Sequence, residues 1–167
     1  MLNRITVFHH INLFLLFLIF GNPILAQNSS SIHNFEATLD ELDTAIFEFL
    51  NGDAKAFKSL WSHTENITIA GGFGGAIEKG WESINKRLDR VGAVYAKAEF
   101  NSERINYGSG DKFGFLVQHE QIKFYSTSNT LESERNYRVT MIFRLEEDGW
   151  KLIHRHADAS MNWQAPE

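Results

Sequence analysis

The sequence contains no cysteine among its 167 residues. Disulfide bonds, a cysteine nucleophile and the lipid-bearing cysteine of a bacterial lipoprotein are therefore all excluded. Stability must come from the packing of an apolar core, and fourteen phenylalanines provide much of the material for it. So high an aromatic content is expected for a cavity or a curved sheet lined by rings.

Runs of basic residues are absent as well. Sixteen Lys and Arg residues stand against twenty-one Asp and Glu residues, and the formal net charge is −5. Because binding to nucleic acids and to anionic membranes depends on neutralising phosphates, this composition argues against both as partners. The glycine cluster at residues 71–75 lacks the Lys-Ser/Thr and the spacing of phosphate-binding loops, and we expect a flexible loop there.

The first 26 residues have the layout of a secretory signal peptide. Arg4 provides a positive start, residues 11–20 are almost entirely apolar, and Ala26 precedes a polar segment. We expect cleavage after Ala26, export to the periplasm or the extracellular space, and no membrane contact of the mature chain; an uncleaved N-terminal anchor is the alternative. Residues 27–34 then form a polar leader, residues 35–160 one domain, and residues 161–167 a tail.

Apolar residues recur at helical spacing in three segments before residue 96. Asn51-Gly52 is a typical helix end and separates the first two segments, whereas the third follows the glycine cluster. The predicted buried stripes are Phe35, Leu39, Leu42, Ile46 and Phe49; Ala54, Phe57, Leu60 and Trp61; and Trp81, Ile84, Leu88, Val91 and Tyr95.

Strand patterns dominate the remainder. A brief strand at residues 67–69 precedes four long ones at 96–107, 112–126, 131–145 and 150–160, which are separated by short turns. The order predicts an α+β domain, with three N-terminal helices packed on a strongly curved antiparallel sheet. Strict alternation in the last strand would place Trp150, Leu152, His154, His156 and Asp158 on one face, and Lys151, Ile153, Arg155, Ala157 and Ala159 on the other.

The order of these elements carries a family resemblance. Residues 80–84 after the glycines, residues 137–143 and residues 148–156 resemble the NTF2-like superfamily, and within it the SnoaL-like, DUF4440-type domains. The closing strand is also similar to the association domain of calcium/calmodulin-dependent protein kinase II. The resemblance implies a cone-shaped fold with one pocket between sheet and helices, and commonly a dimer through the sheet. The superfamily includes isomerases, cyclases, dehydratases and non-enzymatic domains, so it does not fix an activity.

Arg155 is the first candidate for ligand binding. A guanidinium on an otherwise apolar strand face is costly unless it is paired or meets an anion. It either binds a small carboxylate in the pocket or pairs with a glutamate of a neighbouring strand: Glu120, Glu132 or Glu134. The association-domain pocket carries arginines that can bind carboxylates, but this chain has Ala157 at a position where that family can carry one.

His154, His156 and Asp158 form an H-x-H-x-D pattern that could chelate a transition metal, with His119 or Glu120 as a further ligand. We instead expect these histidines to hydrogen-bond across the sheet or at a dimer interface, with no metal and no cofactor. The dimer would use the outer face of the sheet, and protonation of the histidines below pH ~6.5 would weaken it.

Two functions remain open. One is a secreted domain that binds a small molecule, such as a small organic anion. The other is a cofactor-independent isomerase, cyclase or dehydratase of ketosteroid-isomerase type, with Tyr107, Tyr125 or Tyr137 as donor and Asp158, Glu120 or Asp40 as base. An acid or histidine that faces the cavity within reach of a second donor would favour the enzyme. The pocket candidates are Arg155, His154, His156, His119, Tyr107, Tyr125, Arg138 and Trp61.

Overall fold

The computed structural model describes residues 23–72, 75–93 and 97–159, with side chains from residue 35 onward. Most of the predicted signal peptide, Tyr95 and the tail at 161–167 lie outside the described residues. Among those described, no helix combines the length and the hydropathy needed to cross a membrane.

Three helices precede the long strands: α1 (Pro23–Leu50), α2 (Lys55–Ser59) and α3 (Trp81–Gly92). The predicted stripe of the first helix is confirmed, because its five apolar residues are all buried. The polar segment 27–34 belongs to this helix. Beyond it, Gly52 has a φ of 97°, which is the left-handed conformation that commonly ends helices.

The end of α1 is fastened to the sheet by Asn51. Its Nδ2 donates to the carbonyl oxygen of Ala98 at 3.1 Å, and the Ala98 amide donates to Asn51 Oδ1 at 3.0 Å. The carboxamide thus occupies both backbone groups of one residue, as a neighbouring strand would. This contact holds the last turns of α1 against the sheet.

The sheet has six strands: β1 (Thr68–Ala70), β2 (Glu78–Lys79), β3 (Lys97–Ser109), β4 (Phe113–Tyr125), β5 (Leu131–Glu146) and β6 (Gly149–Ala159). Their order is β2-β1-β6-β5-β4-β3, so the predicted meander is confirmed and the sheet is open. The prediction of a wholly antiparallel sheet is wrong at one place, because β1 and β6 are parallel. β2, α3 and the strands β3 to β5 separate these two strands in sequence, so no tight turn imposes an antiparallel direction.

Strand β6 contains a bulge at Ile153. Ile142 of β5 pairs with His154, whereas the next residue, Phe143, pairs with Leu152. The extra residue reverses the alternation, and the prediction of a single face from residue 150 to residue 158 is therefore wrong. Trp150 and Leu152 are buried in the core at one end of the strand, and Ala157 is buried at the other, with His154 and His156 on the opposite face.

The two faces of the sheet differ in burial. Inward residues of β4 and β5 form one core with the helices, including Leu116, Met141 and Phe143, none of which is exposed. The outer face is polar over most of its length and apolar at one end. There Phe113, Phe115 and Ile142 are 56%, 41% and 37% exposed.

Candidate functional site

A cavity of about 190 Å³ lies between the inner face of the sheet and all three helices. Its apolar wall comes from the last turns of α1, from Phe57 of α2, from α3 and from the inner faces of β1, β4 and β6. The residues of this wall are Ile46, Phe49, Leu50, Phe57, Ile69, Leu88, Val91, Ile122, Phe124 and Ala157.

The polar part of the lining is predominantly cationic. Among the described residues it has three guanidinium groups, those of Arg87, Arg135 and Arg155, and one carboxylate, that of Glu120. These residues come from α3, β5, β6 and β4, so that charges distant in sequence meet at one cavity. The excess of positive charge favours an anionic occupant.

Glu120 and Arg155 form a buried ion pair. Arg155 Nη2 donates to Glu120 Oε2 at 2.6 Å, and the two side chains are 16% and 0% exposed, respectively. The other carboxylate oxygen, Oε1, accepts a hydrogen bond from Gln118 Nε2 at 2.9 Å. Each oxygen of Glu120 therefore has a donor, which compensates for much of the cost of burying the charge.

Arg87 reaches the cavity from α3. Its Nη1 donates to Glu78 Oε1 at 2.9 Å, and both side chains are about one quarter exposed, at 25% and 23%. Its other terminal nitrogen, Nη2, lies close to the backbone of Gly71, where an added Cβ atom would stand 2.2 Å from it. The ion pair and this backbone contact together fix the position of the guanidinium.

Arg135 and Tyr137 are successive inward residues of β5. The Arg135 guanidinium carbon lies 4.8 Å from the ring centroid of Phe124, within the range of a cation–π contact. Tyr137 is 9% exposed and stands directly opposite Glu120 in the β4–β5 ladder. Its ring lies so close to Gly72 that a Cβ atom there would be 2.2 Å from Cε1.

Of the eight pocket candidates from the sequence, Arg155 lines this cavity. The interpretation that it pairs with a glutamate of a neighbouring strand is confirmed for Glu120. Its side chain also contributes to the wall, and binding of a carboxylate there stays a prediction. His154 and His156 lie on the outer face instead. His154 Nδ1 is 2.7 Å from Thr68 Oγ1, so the predicted hydrogen bond across the sheet is confirmed for His154. Burial, and secondly the charge of His156, lower the pKa of His154.

The remaining candidates also lie away from the cavity. His119 is beside Glu103 on the outer face, with 3.5 Å between Nδ1 and Oε2, and Arg138 pairs there with Asp158. Three aromatic candidates complete the set: Trp61 is 1% exposed in the core, Tyr107 is 41% exposed with its hydroxyl 3.4 Å from Glu36, and Tyr125 lies under Lys97.

The candidate donors and bases of the enzyme hypothesis also divide into residues that line the cavity and residues that do not. Glu120 and Tyr137 line the cavity, whereas Tyr107, Tyr125, Asp40 and Asp158 do not. Within the described part of the chain, no group of three His, Cys, Asp or Glu residues is placed to hold a metal ion. Glu120, considered as a metal ligand with His154 and His156, faces the opposite side of the sheet from them.

Sequence reasoning missed Arg87, Arg135, Gly71 and Gly72. Arg87 and Arg135 appear in the sequence as charged residues of an amphipathic helix and a solvated strand, and neither has a local pattern that marks a cavity. The glycine cluster was the available signal. Two of its members occur in the wall because side chains from α3 and β5 fill the space that their own side chains would need.

The sequence of residues 36–161 matches the family of SnoaL-like domains. The chain belongs to this family. Its cavity is thus a feature of a SnoaL-like domain, in which helices cover the inner face of an open sheet. No protein of curated function is similar enough to count as a match.

Solved structures support the same fold. An NTF2-like protein of unknown function from Pseudomonas putida is 11% identical, with a TM-score of 0.66 over 80% of this chain and 89% of its own. An NTF2-like superfamily protein from Salmonella enterica is 13% identical, with a TM-score of 0.61 over 86% and 98%. The CaMKII hub of S. rosetta is 17% identical, with a TM-score of 0.58 over 77% and 96%. At these identities the similarity shows the fold alone.

Proposed function

We propose that this SnoaL-like domain binds a small organic anion with an apolar body in its inner cavity. The observation that carries the proposal is the lining itself: three arginines and one glutamate beside a wall of aliphatic and phenylalanine side chains. An anionic head would interact with the guanidinium groups, and the body would displace water from the apolar wall.

The size of the cavity limits the ligand. About 190 Å³ is below the range of roughly 300–1,000 Å³ that is typical of sites for drug-sized molecules. The occupant is therefore a molecule on the scale of one ring with a short acidic chain. A carboxylate is the favoured head group because a planar guanidinium can donate two parallel hydrogen bonds to it.

Phenylacetate and its neutral analogue phenylacetamide test the proposal, because they differ mainly in charge. In calorimetric titrations we expect phenylacetate to bind about tenfold more tightly, which corresponds to one charge-assisted hydrogen bond. Arg135→Gln should reduce that preference. Arg138→Gln, on the outer face of the same strand, should leave it unchanged. Equal binding of both compounds to the wild-type protein would contradict the proposal.

A second candidate function rests on one specific observation. Glu120 and Tyr137, a carboxylate and a phenol, are cross-strand neighbours in the cavity, as the acid–base alternative requires. Against it, both oxygens of Glu120 already accept hydrogen bonds. The test is uptake of solvent deuterium into the methylene group of phenylacetone. Uptake catalysed by the wild-type protein and lost in Glu120→Gln would favour the enzyme, and its absence would favour binding.

We also propose that the protein acts as a homodimer through the outer face. Trp150 and Leu152 no longer support this interface, since both are buried in the core. The support comes from Phe113, Phe115 and Ile142, which form an exposed apolar cluster at one end of the outer face.

Sedimentation at micromolar concentration tests the dimer. Phe115→Ser should yield monomers, whereas Tyr125→Ser, at the other end of the same strand face, should leave dimers intact. A monomeric wild-type protein at neutral pH would refute the interface. Repeating the run near pH 5 tests the predicted weakening by the outer-face histidines.

Export of the mature chain is the remaining part of the proposal, and the layout of residues 1–26 supports it. N-terminal sequencing of protein purified from its native host is the direct test. We expect a start at or near Gln27, and an intact Met1 in a cytosolic pool would refute export.

A further inference from the structure

Gly71 and Gly72 follow β1 and form part of the cavity wall. A methyl group at Gly71 would lie 2.2 Å from Arg87 Nη2, and one at Gly72 would lie 2.2 Å from Tyr137 Cε1. Both separations are well below the ~3.5 Å at which nonbonded atoms pack. Neither glycine has the left-handed φ seen at Gly52, Gly75, Gly80 and Gly149. The requirement at positions 71 and 72 is therefore for space and not for an unusual backbone conformation.

The two glycines differ in what they accommodate. Gly72 faces the ring of Tyr137, a buried side chain with little freedom to move. Gly71 faces the end of the Arg87 side chain, which is partly exposed and has other rotamers open to it. A side chain at position 71 would turn the guanidinium away at small cost to the fold, whereas one at position 72 would strain the core.

We infer that Gly71 is a positioning residue of the cavity, acting through Arg87. One terminal nitrogen of the guanidinium binds the Glu78 carboxylate and the other lies close to the bare backbone of Gly71, and this location makes the group part of the wall. Any side chain at position 71 removes that cationic group from the wall. The functional consequence, a lower affinity for anions, rests on the proposed binding function.

The position of the guanidinium can be measured without any ligand. The Nε–Hε signal of Arg87 in a nitrogen–proton NMR spectrum is assigned by its loss in Arg87→Lys. We expect this signal to shift in Gly71→Ala. It should remain in place in Gly110→Ala, where the nearest atom to an added methyl group is 4.0 Å away. An unshifted signal in Gly71→Ala would overturn the inference.

Binding then tests the consequence. Phenylacetate affinity should fall about tenfold in Gly71→Ala and in Arg87→Gln, and no further in the double variant, while the melting temperature of Gly71→Ala matches that of Gly110→Ala. A full additional loss in the double variant would show that Gly71 does not act through Arg87, and would also overturn the inference. If the wild-type protein does not bind phenylacetate, the proposed function fails, and the Arg87 signal still decides the role of Gly71.

Discussion

The two faces of the sheet carry the same kind of ion pair in opposite surroundings. On the inner face, Arg155 and Glu120 are 2.6 Å apart with side chains 16% and 0% exposed. On the outer face, Arg138 donates to both oxygens of Asp158 at 2.8 and 3.0 Å, but these side chains are 65% and 45% exposed. Good hydrogen-bond geometry is common to both pairs. The difference in exposure to solvent therefore determines which of the two pairs the stability of the fold depends on.

Replacing the acidic residue of each pair by alanine should give the largest difference in stability between the two faces. Glu120→Ala leaves Arg155 buried without its partner and should lower the free energy of unfolding by about 3 kcal/mol. Asp158→Ala leaves Arg138 in water, and no change beyond experimental error is expected. Urea denaturation of both variants provides the measurement, and comparable losses in the two would contradict the contrast between the faces.

Adding a methyl group to each face gives the next largest effect. Gly114 is an inward residue of β4, and its added Cβ would lie 2.7 Å from two ring atoms of the buried Phe35. We expect Gly114→Ala to cost about 2 kcal/mol by overpacking. Gly108 faces outward, where the nearest atom to a Cβ, 3.3 Å away, belongs to the exposed ring of Phe115. Gly108→Ala should have nearly wild-type stability in the same denaturation experiment, and a loss as large as that of Gly114→Ala would be the contrary result.

The smallest expected effect is on the pH dependence of stability. Burial and then the charge of His156 lower the pKa of His154 below its ordinary value of 6.5. The unfolded chain then binds this proton more readily than the folded one. Stability is therefore complete above pH 6.5 and declines as the pH falls from there toward the lowered pKa.

Urea midpoints at pH 7.5 and pH 5.5 measure this decline. His154→Gln should reduce the difference between the two pH values, and His119→Gln, at a more exposed position on the same face, should retain it. An unchanged difference in His154→Gln would remove His154 as its source.

The elements of the fold were predictable because their signals are local. The stripe from Phe35 to Phe49, the Asn51-Gly52 helix end and the turns between long strands each follow from a few neighbouring residues. The parallel pairing of β1 with β6 was not predictable in this way, because it joins two strands with three long strands between them in sequence. Nor did the two-residue strand β2 have enough length to show an alternation.

The candidate site was harder to predict from the sequence than the fold, again because its residues are brought together by long-range packing. Arg155 stood out because a charge interrupted an apolar face of one strand. Arg87 and Arg135 belong to elements that carry several other charged residues, and packing alone brings them to the cavity. The histidine pair had the denser pattern, yet it faces outward, and a single extra residue at position 153 separates the face of Trp150 from the face of His154.

The bulge at Ile153 also affects how residue roles can be transferred between related sequences. An alignment anchored on Trp150 and one anchored on Ala157 differ by one position across the bulge. Without a gap there, an inward arginine of one protein is matched to an outward histidine of another. Comparisons of closing strands within the SnoaL-like family therefore need the pairing register of each strand with its neighbour, because identity at a column does not guarantee the same side of the sheet.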